Sequence, residues 1–356
     1  MPDPPPVTLG VGEALDLLGS GLAVDDVGPL LGLPLLAVEL DAPGDLRSLA
    51  RLTRDLPCVV VGVDRGSSDA AAVVRRTGAE EGFDVLLTPS RSPRPWVEVA
   101  DPLEALSTLS RTVGSSPWAA LCLVELLRCT EAMTIPDALA AESWIYSMLQ
   151  AGPAFARWLS ERRHRADPIE SAPPVLVERS GSRLDIRLNR PQVRNALNAA
   201  MRDALIDALR TVVADPTIAE VVLSGNGPSF CSGGDLTEFG SSPDPATAHA
   251  VRVTRSAGAW LARCAERVTV EVHGACIGAG IELPAFAGRV RAHPDARFSL
   301  PEVAMGLIPG AGGTASITRR VGRQRAAYLA LSGERLPAET AYGWGLVDEV
   351  GEIPGV

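Results

Sequence analysis

Two apolar segments constrain the fold most. "AEVVLSG" (219–225) and "RVTVEVHGA" (267–275) each run directly into a glycine-rich turn. A strand that is apolar along its whole length must be covered on both faces, the situation of strands in parallel sheets flanked by helices. Helical patterns surround the two strands. "NAAMRDALIDALRTVVAD" follows Asn198, a candidate N-cap, and "ATAHAVRVTRSAGAWLARCAE" reads as a second amphipathic helix. "PVLVERSG" and "RLDIRLN" read as a hairpin. Strand–helix alternation of this kind predicts an α/β fold with a buried, largely parallel sheet.

The first half has its own signals. "LPLLAVEL" (33–40) and "LPCVVVGV" (56–63) read as buried strands. "PWAALCLVELLRCTEAM" and "IPDALAAESWIYSMLQAGPAFARWLSERR" carry apolar residues at helical spacing, the second ending in basic residues that suit a helix C-terminus. The charged, then proline-rich stretch "RRHRADPIESAPPV" (162–175) separates the halves. The expected domains are therefore 1–168 and 169–356, and a length of 356 residues suits two domains.

Composition removes several classes of function. A net charge of −10 argues against nucleic acid or anionic membrane as partners. The chain has no lysine, so a phosphate must be met by arginine or by backbone N–H groups. Six cysteines are scattered without a C-x-x-C pair, and the four histidines lack metal-ligand spacing. The opening "MPDPPPVTLGVGEALDLL" lacks a leader pattern, and no apolar run is long enough to span a bilayer. The expectation is a soluble, cytoplasmic protein with no bound metal.

The two strand-end turns are "SGNGPSFCSGGDL" (224–236) and "HGACIGAGIEL" (273–283). Backbone N–H groups at such places can bind an oxyanion. Downstream, Glu282 and Glu302 stand in a segment dominated by glycine, alanine and apolar residues. A carboxylate in such surroundings is costly unless something uses it.

"LNRPQVRNALN", "GNGPSFCSGGDL", "HGACIGAGIEL" and "FSLPEVAMGLIPGAGGT", in this order, resemble the crotonase (enoyl-CoA hydratase/isomerase) family over roughly 175–350. The resemblance implies a spiral of β-β-α units and stabilisation of an acyl-CoA enolate by two backbone N–H groups, those of Gly234 and Ala279. It implies that Glu282 holds and activates a water, and that Glu302 delivers a proton to Cα. Arg194, Ala196, Ser232, Asp235, Leu236 and Gly278 fall at its substrate-binding positions, with Arg194 the candidate for a CoA phosphate. Arg190 reads as a strand-end structural residue, Asp235 as also closing the turn, and Cys231 and Cys276 as small core residues. Two acids favour an enoyl-CoA hydratase of acyl-CoA or fatty acid metabolism, with coenzyme A present only as part of the substrate. An enoyl-CoA isomerase is the alternative within enzymes, and a non-catalytic acyl-CoA-binding or assembly subunit the alternative outside them. The chain departs from the pattern at Ala279, where the family often has glycine. Pro284 falls where the pattern has a helix, and Gly288 where it has an aspartate.

Residues 95–168 resemble the helices with which the family usually ends, a segment not seen after "GWGLVDEVGEIPGV". "LTRDLPCVVVGVDRG" resembles the strand before the second oxyanion turn, but "SSDAAAVVRR" follows in place of a glycine-rich loop and glutamate. The N-terminal half thus reads as a degenerate, catalytically dead repeat whose amphipathic helices cover the catalytic half. Trp and Leu residues of 118–159 read as core or interface, and Arg162, Arg163 and Arg165 as a solvated helix end. The resemblance also implies a homo-oligomer, a trimer or hexamer.

Overall fold

The computed structural model describes residues 8–19, 27–66, 70–162 and 172–354. Most of the expected linker lies outside these residues, as do Arg163 and Arg165. The fold is mixed α/β, in two compact units. The units do not divide at 168/169. One runs to Glu131 and also takes in Val321–Ser332, and the other holds Ala132–Arg320 and Gly333–Val356. The helices Ile135–Gln150 and Pro153–Glu161 therefore belong with the C-terminal sheet.

The first unit contains a five-stranded parallel sheet, with β1 (Thr8–Gly10), β2 (Leu35–Glu39), β3 (Val59–Val63), β4 (Val85–Thr88) and β5 (Val97–Glu98) in chain order. Residues of β3 are all buried, as an unbroken valine-rich run requires. Leu36, Val38, Leu49, Val60, Phe83, Leu86 and Trp96 fill the core. Buried Asp84 accepts Val60 N–H at 2.8 Å and a two-pronged contact from Arg128 at 2.9 and 2.7 Å. Helix Arg323–Ser332 is buried here, and its first residues donate to chain carbonyls. Arg323 reaches Phe83 O at 3.0 Å and Glu81 O at 2.8 Å, and Arg325 reaches Trp96 O at 2.9 Å.

The second unit is built on a six-stranded sheet. Its order is β14 (Glu349–Val350), β11 (Arg289–Ala292), β9 (Val268–Val272), β8 (Glu220–Gly225), β7 (Arg183–Leu188) and β6 (Val175–Ser180). Only the β6–β7 hairpin is antiparallel. A small sheet, β10 (Ala275–Ile277), β12 (Arg297–Ser299) and β13 (Leu336–Pro337), receives the chain as it leaves the large one. β9 passes into β10 and β11 into β12, so two strands precede each turn or short helix. The β9–β10 corner depends on Gly274, at φ +55, where a Cβ would stand 2.3 Å from Pro228 O.

Asn198 caps helix Ala199–Ala214 through Met201 N–H at 2.9 Å, as expected. Three helical expectations change in detail. The stretch read as one helix over 246–266 is two helices, Pro245–Thr254 and Ala257–Arg263, because Ser256 caps the second by accepting Ala259 N–H. The tract after Ile135 breaks at Gly152–Pro153, since proline lacks the donor needed to continue a helix. The helix holding Glu282 spans only Ala279–Glu282, and Pro284 opens a separate 3-10 turn instead of standing inside a helix. At Gly288, a Cβ would meet Ala265 O at 2.6 Å, so the missing aspartate has no room here.

Candidate functional site

Gly234 sits in a turn whose neighbours are fastened. Leu197 N–H donates to Gly233 O at 2.8 Å, and Asp235 N–H donates to Leu197 O at 2.9 Å. Ser232 N–H donates to the Arg194 carbonyl at 2.9 Å. Asp235 closes the turn by accepting Thr237 N–H at 3.1 Å and its hydroxyl at 2.8 Å. Its other oxygen pairs with buried Arg190 at 2.9 Å. Arg190 is thus a structural residue at the strand end. Among the described residues, the Gly234 N–H has no acceptor.

The second turn is shaped by Gly278, at φ 51° and ψ −120°, which lets Ala279 enter an ordinary helical conformation. Alanine is tolerated there because its neighbour absorbs the unusual backbone. Gly278 N–H donates to Ser299 O at 2.9 Å. The Ala279 N–H opens the short helix and has no acceptor among the described residues. Cys231 and Cys276 bridge the two turns as strand partners.

Glu282 and Glu302 flank the same glycine. A Cβ on Gly278 would lie 2.4 Å from Glu302 Oε1 and 3.7 Å from Glu282 Oε1. The two carboxyls are held differently. Glu282 Oε2 accepts the N–H groups of Ala311 and Gly313, both at 2.8 Å. Glu302 Oε2 is buried, with no partner among the described residues. Burial raises the pKa of both. On Glu282 the two N–H donors oppose this rise, whereas the charge of Glu282 pushes Glu302 further up, well above the carboxylate range.

A third carboxyl was not foreseen. Glu142, on helix Ile135–Gln150, is buried. Its Oε1 accepts Gly312 N–H at 2.8 Å, and its Oε2 accepts Thr314 N–H at 3.0 Å and the Thr314 hydroxyl at 2.6 Å. Glu282 takes the N–H groups of 311 and 313 and Glu142 those of 312 and 314. The start of helix Gly313–Val321 is satisfied by two interleaved side chains. The sequence did hold a signal, since Glu142 lies one turn from buried Ala138 and Tyr146, inside the apolar stripe.

One cavity of about 470 Å³ brings together Gly234, Ala279, Glu282, Glu302 and Asp235. Its walls also include Tyr146, Gln150, Phe239, Arg252 and Ala311. Arg194, Ala196, Ser232, Leu236 and Gly278 are not on these walls. Arg194 is exposed, at φ 53, after a 3-10 turn. Ser232 donates to Val193 O at 3.3 Å, Ala196 O accepts from Arg190, and the Leu236 carbonyl accepts from Arg162. Gly278 stands behind the two carboxyls. Helix Pro153–Glu161 packs over the first turn, with Phe155 and Trp158 against Phe239 at 6.5 and 6.0 Å between ring centres.

The thiols do not suit nucleophilic work. Burial pushes Cys231 up to about 12 and Cys276 well above its ordinary value. The variants Cys231→Ala and Cys276→Ala are expected to keep turnover and to lose only packing stability. Activity assays and melting curves check this, and loss of turnover with an intact melting curve would point to thiol chemistry instead.

The family model described as enoyl-CoA hydratase/isomerase matches residues 178–352. A 2,3-dehydroadipyl-CoA hydratase of Escherichia coli K12 is 38% identical over 176 residues, covering 49% of this chain and 68% of the relative. A 1,2-epoxyphenylacetyl-CoA isomerase of the same strain is 36% identical, covering 47% of this chain and 65% of the relative. A crystal structure of an enoyl-CoA hydratase from Mycobacterium smegmatis aligns at 35% identity and TM-score 0.47, over 50% of this chain and 70% of its own. The chain belongs to the enoyl-CoA hydratase/isomerase family, the crotonase superfamily.

Proposed function

We propose that this protein adds water to a 2-enoyl-CoA thioester, using two backbone N–H groups and two glutamates and no metal or redox cofactor. The observation that carries this reading is the unequal treatment of two adjacent carboxyls facing one cavity. Glu282 is held by two N–H donors that favour its ionised form, while Glu302 is buried with an unpartnered oxygen that favours its protonated form. Such a pair can supply one base and one acid at the same pH.

In the proposed reaction the thioester oxygen accepts the N–H groups of Gly234 and Ala279. Glu282 orients a water and takes its proton as the oxygen attacks Cβ. The electron pair of the double bond moves through Cα to the thioester oxygen, and the two N–H groups stabilise that charge. Cα then takes the proton of Glu302. One hydroxyl and one hydrogen have been added, and Glu282 has gained the proton that Glu302 lost. Proton exchange with solvent restores the pair. Double-bond isomerisation needs only one acid, so the second carboxyl favours hydration.

The N-terminal half has a place in this reading as a degenerate repeat without catalytic groups, from whose end the helices 135–150 and 153–161 pass into the catalytic unit. Arg194 remains the candidate for a CoA phosphate.

The variant Ala279→Pro tests the oxyanion role. It deletes one N–H at a first helical position, where proline's φ is accepted. Turnover of a 2-enoyl-CoA, followed by loss of its conjugated absorbance, is expected to fall about 10²–10³-fold with little change in melting temperature. Undiminished kcat in a folded variant would refute the role of this donor.

A further inference from the structure

The cavity wall contains an arginine that, among the described residues, has no carboxylate as a hydrogen-bond partner. Arg252, on helix Pro245–Thr254, is half-buried and lines the same cavity as Glu282 and Glu302. Its Nε donates to Ser143 Oγ at 3.2 Å and its Nη1 to Gln150 Oε1 at 3.1 Å. Its Nη2 donates to Ser147 Oγ, and the guanidinium lies over the Tyr146 ring at 4.6 Å. All of these partners are neutral. Two other arginines drawn out of water, Arg190 and Arg128, have carboxylates. Arg190 pairs with Asp235 at 2.9 Å, and Arg128 with Asp84 at 2.7 Å. A guanidinium drawn out of water without an anion is costly, and the cost is recovered when an anion arrives. Burial depresses the pKa of Arg252 and outweighs the opposing effects of Tyr146 and Glu142.

The surroundings fit an incoming carboxylate. Among the described residues, Ser143, Gln150 and Ser147 take three of the five guanidinium N–H donors, which leaves two for a ligand. An acyl chain that ends in a methyl group would have to dehydrate these groups and return nothing. The stack on Tyr146 and the three hydrogen bonds fix the fork before a ligand binds, which suits recognition of a planar anion.

Resting on the hydration reading above, we infer that the substrate's acyl chain ends in a carboxylate, held by Arg252 at the end of the cavity remote from the thioester. The substrate class is then the mono-CoA thioester of an unsaturated dicarboxylic acid. An anion of coenzyme A itself is the other source of negative charge, and the test separates the two.

The experiment compares two 2-enoyl-CoA thioesters of equal chain length, one ending in methyl and one in carboxylate. Binding of their saturated, unreactive counterparts is measured in parallel by calorimetry. The intact protein is expected to favour the carboxylate-ended member about 10- to 100-fold in both kcat/KM and affinity, the range of a charge-assisted hydrogen bond. Arg252→Gln is expected to bring that ratio close to one, and Arg252→Lys to keep part of it. The ratio cancels any general loss of folding in the variants, and the wild-type affinities require no variant. Equal affinity for both members in the wild type would overturn the inference. So would an equal loss on both members in Arg252→Gln, which would assign the arginine to coenzyme A or to bracing the helices. Carboxylate-selective binding without turnover would keep this site and refute hydration. Turnover without selectivity would keep hydration and refute this site.

Discussion

Replacing Glu302 with glutamine is expected to lower kcat by about 10²–10⁴-fold, the usual contribution of a positioned general acid, and to leave the fold as stable as before or more so. Glutamine keeps the shape but cannot deliver a proton to Cα. The stability half follows from linkage. Glu302 has an ordinary value of 4.5 and is raised well above it, first by burial and then by the charge of Glu282. Between the unfolded and folded values the native state holds a proton that the unfolded chain has released. Stability from this group is therefore full below the unfolded value and is lost as pH rises through the folded one. Glutamine removes that dependence. At neutral pH the melting temperature of Glu302→Gln should equal or exceed that of the wild type, and the difference should vanish in acid. A variant that is both inactive and less stable at neutral pH would mark Glu302 as a structural residue.

The second large effect is expected at Glu142. In Glu142→Gln one acceptor oxygen becomes an amide donor facing the N–H groups of Gly312 or Thr314. One buried donor is then unsatisfied, at a cost of about 1–3 kcal/mol. The same turn carries Ala311 and Gly313, which hold Glu282. A small displacement of that carboxylate is expected to reduce kcat, by up to about 10²-fold for a shift near 1 Å. A pH profile separates this from a general loss of stability. Glu142 is among the charges that raise Glu302. Without it, Glu302 releases its proton more readily, so the alkaline limb of kcat/KM should move to lower pH. A lower melting temperature with an unmoved limb would show that Glu142 only braces the fold.

The parts of this molecule that were legible in the sequence are those where chemistry is local. β3 is an unbroken apolar run, β8 has an apolar centre, β9 alternates valines with polar residues, and the Asn198 cap is adjacent to the helix it starts. The turns around Gly234 and Ala279 were marked by glycines that their backbone needs, and Glu282 and Glu302 by a polar charge in apolar company. What escaped depends on long-range placement. Glu142 is 170 residues from the Gly312 N–H that it accepts. Helix 323–332 donates from Arg323 to a carbonyl 240 residues earlier. No periodicity reports such pairings. Arg252 was hidden for another reason. An arginine on an amphipathic helix ordinarily faces water, and only the neutral character of Ser143, Ser147 and Gln150 sets this one apart.

In the proposed reaction, water is added across the double bond between the two glutamates. Turnover of a 2-enoyl-CoA in water enriched with heavy oxygen tests it most directly, with the product analysed by mass spectrometry. One heavy oxygen is expected at Cβ of a saturated 3-hydroxyacyl-CoA, and little product from Glu282→Gln or Glu302→Gln. A product that carries no solvent oxygen and retains a shifted double bond would contradict hydration and assign the site to isomerisation.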